Sequence, residues 1–393
     1  MHLKSIAPDC YPTDSGVPLD FRTFSRLGER IRNLLKSLHR SQGCDALIVR
    51  STNVPRSRTE PAPCGVVFHA DDFGMNGAVT AGILRGFTHG LLTSTALLAN
   101  APDAEAAIRE WRLLQGQHAA GRLASMDART QLGEPREAFE LGIHLNLTQG
   151  RPLTGSYPAQ LLDSAGRFCG VGRVFRHLRR PRPAFEAAVR DELAAQIEFL
   201  LDHGMHPTHV NGHQYIEMLP GLRTSLRTLV ARYGIRTVRV ARESGLVRTT
   251  LLNGLQAKNW SLAHVKRYYA GRLLRDARTW NVEFPDAFFG TSNAGRVDLR
   301  LVRQFLDSGI RPRGVRPRSG GRSRLIEIGV HPALGLTALQ MDPEEGWGDP
   351  LAAHRPKELE MLIGPDLVNL LQSRGVTLGR LRTPSATVVA KSA

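Results

Sequence analysis

The chain has 393 residues, which is room for one large domain or two ordinary ones, and it is 41% hydrophobic and 22% charged, the usage of a globular protein. No apolar run approaches a membrane span, and Met1–Pro8 begins no signal-like apolar stretch, so a cytoplasmic protein without a transmembrane segment is expected. The net charge of +16 rests almost wholly on arginine, spread along the chain apart from a cluster at Arg311–Arg324 and nowhere interleaved with aromatic residues, so nucleic-acid binding is not expected.

In chain order, residues 1–63 read as an extension. Phe24, Leu27, Ile31, Leu34, Leu35 and Leu38 recur at helical spacing within Asp20–Arg40, and Ser41–Pro63 is a Ser/Thr/Pro/Arg-rich, partly disordered linker. After Pro63 the pattern changes. Gly65–Ala70 is a short apolar run with β-branched residues and predicts a buried strand. Asn76–His89 predicts a helix, Leu91–Asn100 a strand, Pro102–Leu114 a helix opened by its proline, and Leu141–Thr148 a third strand. Arg151–Arg182 is an irregular insertion rich in Gly, Pro and Arg. Phe185–His203 is a helix, Pro207–His213 a strand, Leu222–Tyr233 a helix, Thr237–Ala241 a strand and Leu325–His331 a late strand, with a Gly/Arg/Pro loop at Arg311–Arg324 and a frayed tail from Pro384. Strands alternating with helices predict parallel β/α units.

Reactive groups in such folds gather at the C-terminal ends of strands. Asp71 and Asp72 close the first strand, and His144 lies on the third. His209, Asn211 and His213 share one face of the fourth by the period-two rule, as do Glu327 and His331 on the late strand. Taken singly, an Asp pair after a strand is often a helix cap and a strand histidine is usually structural. Together these strand ends carry the inventory of an open divalent-metal site. No G-x-S-x-G elbow is present, and none of Cys10, Cys44, Cys64 and Cys169 forms a C-x-x-C pair, so neither a nucleophilic serine nor a cysteine zinc site is indicated.

The motifs His69-Ala-Asp-Asp-Phe-Gly-Met-Asn, Leu92-Thr-Ser-Thr-Ala-Leu-Leu-Ala-Asn, Leu141-Gly-Ile-His-Leu-Asn-Leu-Thr, Pro207-Thr-His-Val-Asn-Gly-His, Pro285-Asp-Ala-Phe-Phe-Gly and Glu327-Ile-Gly-Val-His-Pro occur in this order, followed by Arg355-x-x-Glu358-Leu. Over about Val66 to Leu371 the chain thereby resembles the YdjC/ChbG carbohydrate deacetylases, a family that includes hopanoid-associated HpnK proteins. The resemblance implies an α/β, TIM-barrel-like (β/α) barrel, irregular or incomplete as in polysaccharide-deacetylase-like folds. It implies a deacetylase domain over residues 64–380, between the extension 1–63 and a tail at 381–393. The implied activity is metal-dependent hydrolysis of an N-acetyl group from an amino sugar, glycan or glycolipid.

Carried over residue by residue, the resemblance makes Asp72, His144 and His213 the metal ligands and Asp71 the general base. His331 is the candidate general acid, held by Glu327. Asn211, Tyr215, Arg239 and Glu327 are candidate substrate-binding residues. Two departures bear on the substrate: the run after His213 is Gln214-Tyr215-Ile216-Glu217 where the family often has further histidines, and Asn211 stands where Asp is common. Trp347 reads equally as a sugar-stacking ring and as a packed loop aromatic. One Asp and two His suit Zn²⁺, whereas the resemblance implies Mg²⁺ for some members, so both are kept. Three other readings stay open, a non-catalytic carbohydrate-binding relative, another amide or ester hydrolase on the same metal platform and, from the charge, an RNA- or membrane-surface-associated protein, as does a homodimer.

Overall fold

The apolar run after Pro63 forms β1 (Cys64–Phe73), buried along its whole length, as a strand covered on both faces of a parallel sheet must be. The computed structural model describes residues 64–134, 139–243, 257–310, 324–335 and 342–381. The segment Asp20–Arg40, the linker Ser41–Pro63, all but the last residue of Arg311–Arg324 and the tail from Pro384 lie outside the described residues. After β1 come α1 (Gly77–Thr88), β2 (Ser94–Leu97), α2 (Ala104–Ala119), α3 (Met126–Gln131), β3 (Glu140–Leu145), α4 (Gly170–Leu178), α5 (Pro183–Asp202) and β4 (His209–Gly212). Then follow α6 (Arg223–Arg232), β5 (Thr237–Val238), α7 (Ala257–Ala277), β6 (Ala287–Phe289), α8 (Leu299–Ile310), β7 (Arg324–Val330), α9 (Arg355–Ile363), α10 (Pro365–Ser373) and β8 (Val376–Leu378).

The sheet runs β5-β4-β3-β2-β1-β7-β6, with every pairing parallel. It curls until its two edges meet: Thr237 bridges Glu283, and Glu243 bridges Phe288. Around the wall the strands therefore follow chain order, as in a (β/α) barrel, but the closing seam consists of these bridges alone. β8 pairs with Cys64–Val66 of β1, below the point at which β2 begins to pair at His69. The wall is thus an irregular barrel, in line with the expected fold.

Helices pack on the outside. Trp111 of α2 meets Phe73 and Phe87 edge-on, at centroid distances of 5.9 and 5.3 Å, and each such buried aromatic contributes about 2–3 kcal/mol. Asn76, with extended backbone, accepts from the Val79 N–H at 2.9 Å and caps α1. The Asp71–Asp72 pair is therefore not the cap.

Several elements differ from expectation at their ends or were not foreseen. The second strand is confined to Ser94–Leu97, and α2 extends to Ala119. The insertion expected to be irregular contains α4, whose Val174 and Leu178 are buried. Its glycines at 170 and 172 hide a helix from pattern reading. Helices α7 to α10 and strands β6 and β8 were not foreseen, although α8 repeats its apolar residues at helical spacing.

Candidate metal centre

Strand alternation places Asp71 and Asp72 on opposite faces of β1. The chain escapes this at Asp72, which has φ of +70°. The same irregularity appears as a register shift against β2 between Ala70 and Phe73. Aspartate is among the few residues that tolerate the left-handed region, at roughly 1–2 kcal/mol. The turn brings both carboxylates to the mouth of the barrel.

There Asp72 Oδ1 lies 2.9 Å from His213 Nδ1 and 3.4 Å from His144 Nε2. One donor atom from each of the three residues falls within 4.8 Å of the others, and all three side chains are buried. Ligand bonds of about 2.0–2.2 Å put neighbouring donor atoms about 3.0–3.5 Å apart around a cation. The observed spacings fit that range, and one carboxylate with two imidazoles is a chemically coherent donor set. These residues can hold a divalent metal ion. Outward of them, Arg355 Nη2 donates to Asp72 Oδ2 at 2.7 Å, while Arg355 Nε reaches Asp349 Oδ2 at 2.7 Å. Burial works against ionisation of Asp72, but Arg355 and the hydrogen bonds from both histidines hold its carboxyl well below the usual range. Burial likewise opposes charge on His144, yet Asp71 and Asp72 raise its pKa above the ordinary value.

Asp71 occupies a separate network. Its Oδ1 accepts from Asn211 Nδ2 at 3.0 Å and lies 3.2 Å from His69 Nε2, and its Oδ2 accepts from Arg239 Nη1 at 2.8 Å. Against the effect of burial, Arg239, His144 and His69 hold this carboxyl well below its normal pKa. His331 Nε2 stands 3.7 Å from Asp71 Oδ2. Burial pushes His331 down to about 4, against the pull of Asp71 and Asp72, so the resting imidazole is neutral at pH 7.

The structure gives different surroundings to several residues expected to bind substrate. Asn211 and Arg239 are almost fully buried and grip Asp71. Glu327 does not hold His331: it accepts from Arg239 Nε at 2.7 Å, and the arginine draws it to the barrel's closing seam. The carboxylate beside His331 is Glu358, which accepts the His331 backbone N–H and lies 3.8 Å from Nδ1. Burial pushes Glu358 up to about 7, opposed by the N–H donors of Val297 and His331. Tyr215 is buried with φ of +64°, and Lys266 Nζ lies 4.6 Å from its ring centre. Trp347 is 3% exposed and packs over Gly150, where a Cβ would come within 2.7 Å of the ring, so it is a packed loop aromatic.

Sequence reasoning missed His69, Asp349, Arg355 and Glu358 as parts of this constellation. His69 is two residues before Asp71 on one strand face, so period two was the available signal. Arg355 and Glu358 lie three apart on α9, a spacing that presents both to one side. His209 meets the His69 ring edge-on at 4.8 Å, and it fills the space over Gly142, where a Cβ would lie 2.3 Å from the imidazole.

A family model described as YdjC-like protein matches residues 65–373, which include every one of these groups. The chain belongs to the YdjC-like family. A carbohydrate deacetylase of Mus musculus is 28% identical to this chain over 323 residues, covering 80% of this chain and 92% of that protein. A carbohydrate deacetylase of Geobacillus stearothermophilus is 27% identical, with 79% and 94% covered. A chitooligosaccharide deacetylase of Yersinia enterocolitica is 24% identical, with 80% and 96% covered. A crystal structure from Enterococcus faecalis, of a protein named for cellobiose-phosphate cleavage, superimposes with a TM-score of 0.55 at 20% identity, covering 81% of this chain and 98% of that one. That likeness shows the fold of this YdjC-like chain. Among the described residues no helix is long and apolar enough to cross a membrane.

Proposed function

We propose that this protein is a metal-dependent hydrolase that removes the acetyl group from an N-acetylated amino sugar or a glycan or glycolipid bearing one. The observation that carries the reading is the division of labour at one barrel mouth: Asp72, His144 and His213 converge within 4.8 Å, while Asp71 stands apart from them beside His331. The names of the curated relatives, carbohydrate and chitooligosaccharide deacetylases, support the same reaction class, amide hydrolysis.

In this reading Asp72, His144 and His213 hold the ion. When bound, a divalent cation supplies Lewis acidity toward an acetyl carbonyl and acidifies water. Asp71, kept ionised and fixed by Arg239 and Asn211, takes the proton from the attacking water. His331, neutral at rest, receives a proton from the Asp71 side as negative charge develops beside it and delivers it to the departing amine nitrogen. Glu358 orients His331 through its backbone N–H and Nδ1 edge. The amide C–N bond breaks, and acetate and the free amine leave. A cavity of about 440 Å³ between the turn after β6 and the loop before α9, bordered by Lys266, Thr291, Ser292, Asn293 and His354, offers hydrogen-bonding groups for sugar hydroxyls.

The donor set suits Zn²⁺, and the family resemblance carries Mg²⁺ as the other candidate. The deciding experiment is an acetate-release screen over N-acetylated mono- and oligosaccharides after chelation and reconstitution with each metal. Acetate release that stops with chelator and returns with one metal supports the proposal. Sugar binding with no release under any metal replaces it with a binding protein.

A further inference from the structure

The insertion after β3 carries a feature that the reaction does not use. Arg173, Arg176, Arg179, Arg180 and Arg182 are all exposed. No carboxylate occurs between Asp163 and Glu186, and none of the five arginines forms an ion pair among the described residues. The charges of Arg173, Arg176 and Arg182 all act on the His177 ring, so they form one patch. An exposed cluster of one sign attracts anionic partners, and more strongly at low salt.

The patch is built on an amphipathic helix. Val174 and Leu178 of α4 are buried, while Val171 at its start is 44% exposed. Phe175 packs edge-on against Tyr269 of α7 at 5.6 Å. The neighbouring Tyr268 is 57% exposed and accepts a hydrogen bond from Arg272 Nη1 at 3.0 Å. The outward face therefore combines clustered arginine with one exposed aliphatic side chain and one amphipathic aromatic ring, the mixture that favours a lipid interface. Its position is also informative. α4 packs against the turn His213–Met218, which continues directly from His213. At Gly221, in the Pro220–Leu222 turn that follows, a Cβ would come within 2.7 Å of the Leu178 carbonyl, so α4 also packs closely against this next turn.

We infer that α4 and the arginines just beyond it form a docking surface for an anionic lipid bilayer, on the same face of the barrel as the metal centre. Docking stands independently of the reaction; its use in reaching a membrane-borne N-acetylated glycolipid rests on the deacetylase reading. Vesicle sedimentation of the full chain tests it, using phosphatidylcholine alone and phosphatidylcholine mixed with phosphatidylglycerol. The expected result is binding to the mixed vesicles only, lost at high salt. Replacing three arginines (Arg173→Gln, Arg176→Gln, Arg180→Gln) weakens partitioning on the order of 100-fold, while acetate release from a soluble substrate is unchanged. Arg179→Gln with Arg182→Gln, outside the helix, gives a smaller loss in the same direction even if the triple variant unfolds α4. Equal binding to both vesicle types, wild-type binding by both variants, or arginine-dependent binding to RNA without vesicle binding overturns the inference. Loss of vesicle binding with intact turnover, or the reverse, separates this surface from the reaction proposed above.

Discussion

Arg355 holds the outer oxygen of Asp72, at 2.7 Å from Oδ2, and leaves Oδ1 to face His144 and His213. On the proposed reading, the guanidinium would direct Asp72 toward coordination through one oxygen. It would also offset part of the charge of the only carboxylate in that donor set and leave a bound cation more electrophilic.

Removal of that arginine is expected to loosen the ion. Arg355→Met should weaken metal affinity by about 10–100-fold, read by titration of the chelated protein. It should also lower stability by about 3–5 kcal/mol, because Asp72 and Asp349 each lose a buried partner. Unchanged affinity would remove Arg355 from the metal's support.

The ligand assignment predicts that Asp72→Asn, His144→Ala and His213→Ala each abolish stoichiometric metal binding, measured by elemental analysis after gel filtration. A variant that retains a full equivalent of metal is not missing a ligand.

Asp71→Asn separates binding from turnover. The metal should stay, since Asp71 lies outside the converging donor atoms, while kcat falls by about 10²–10⁴-fold. Normal turnover would pass the proton-accepting role to another group.

Glu217 gives a pH test of the fold. It is 1% exposed, neither of its carboxylate oxygens has a hydrogen-bond partner among the described residues, and burial pushes it up to about 8. With the folded value above the unfolded one, near 4.5, its favourable contribution is complete below pH 4.5 and is lost as pH rises through about 8. Glu217→Gln should therefore stabilise the protein by a few kcal/mol at pH 8.5 and by much less at pH 5, read as denaturation midpoints of the chelated protein. An equal effect at both pH values would show that Glu217 is not held protonated.

The strands bearing the site were legible because parallel strands need apolar runs, and period two placed His213 and His331 toward the mouth. The convergence of Asp72 with Asp71 was not legible from periodicity, which sends neighbouring residues to opposite faces; the +70° turn at Asp72 is a backbone decision. From sequence, Asn211 reads as a cleft residue on a strand, and Arg239 reads equally as a sugar-binding group and as a member of an internal salt bridge. Only the curling of the sheet, which brings Arg239 of the segment after β5 to Asp71 of β1 and Glu327 of β7, reveals that they grip a carboxylate. The motif Arg355-x-x-Glu358 was visible without a role, because its partners Asp72 and His331 are distant in sequence. The insertion bearing α4 read as arginine-rich, but exposure without carboxylate partners among the described residues is what singles these arginines out.

Because Asn76 rather than either aspartate closes the first turn of α1, scaffold and chemistry are separable within one short stretch of chain. The helix start, worth about 1 kcal/mol, survives the loss of Asp71 or Asp72. On the proposed reading, a single nucleotide change at either codon would remove a catalytic or metal-holding carboxylate while leaving this helix cap in place. On that reading, catalyst and inert sugar receptor in this architecture lie one step apart.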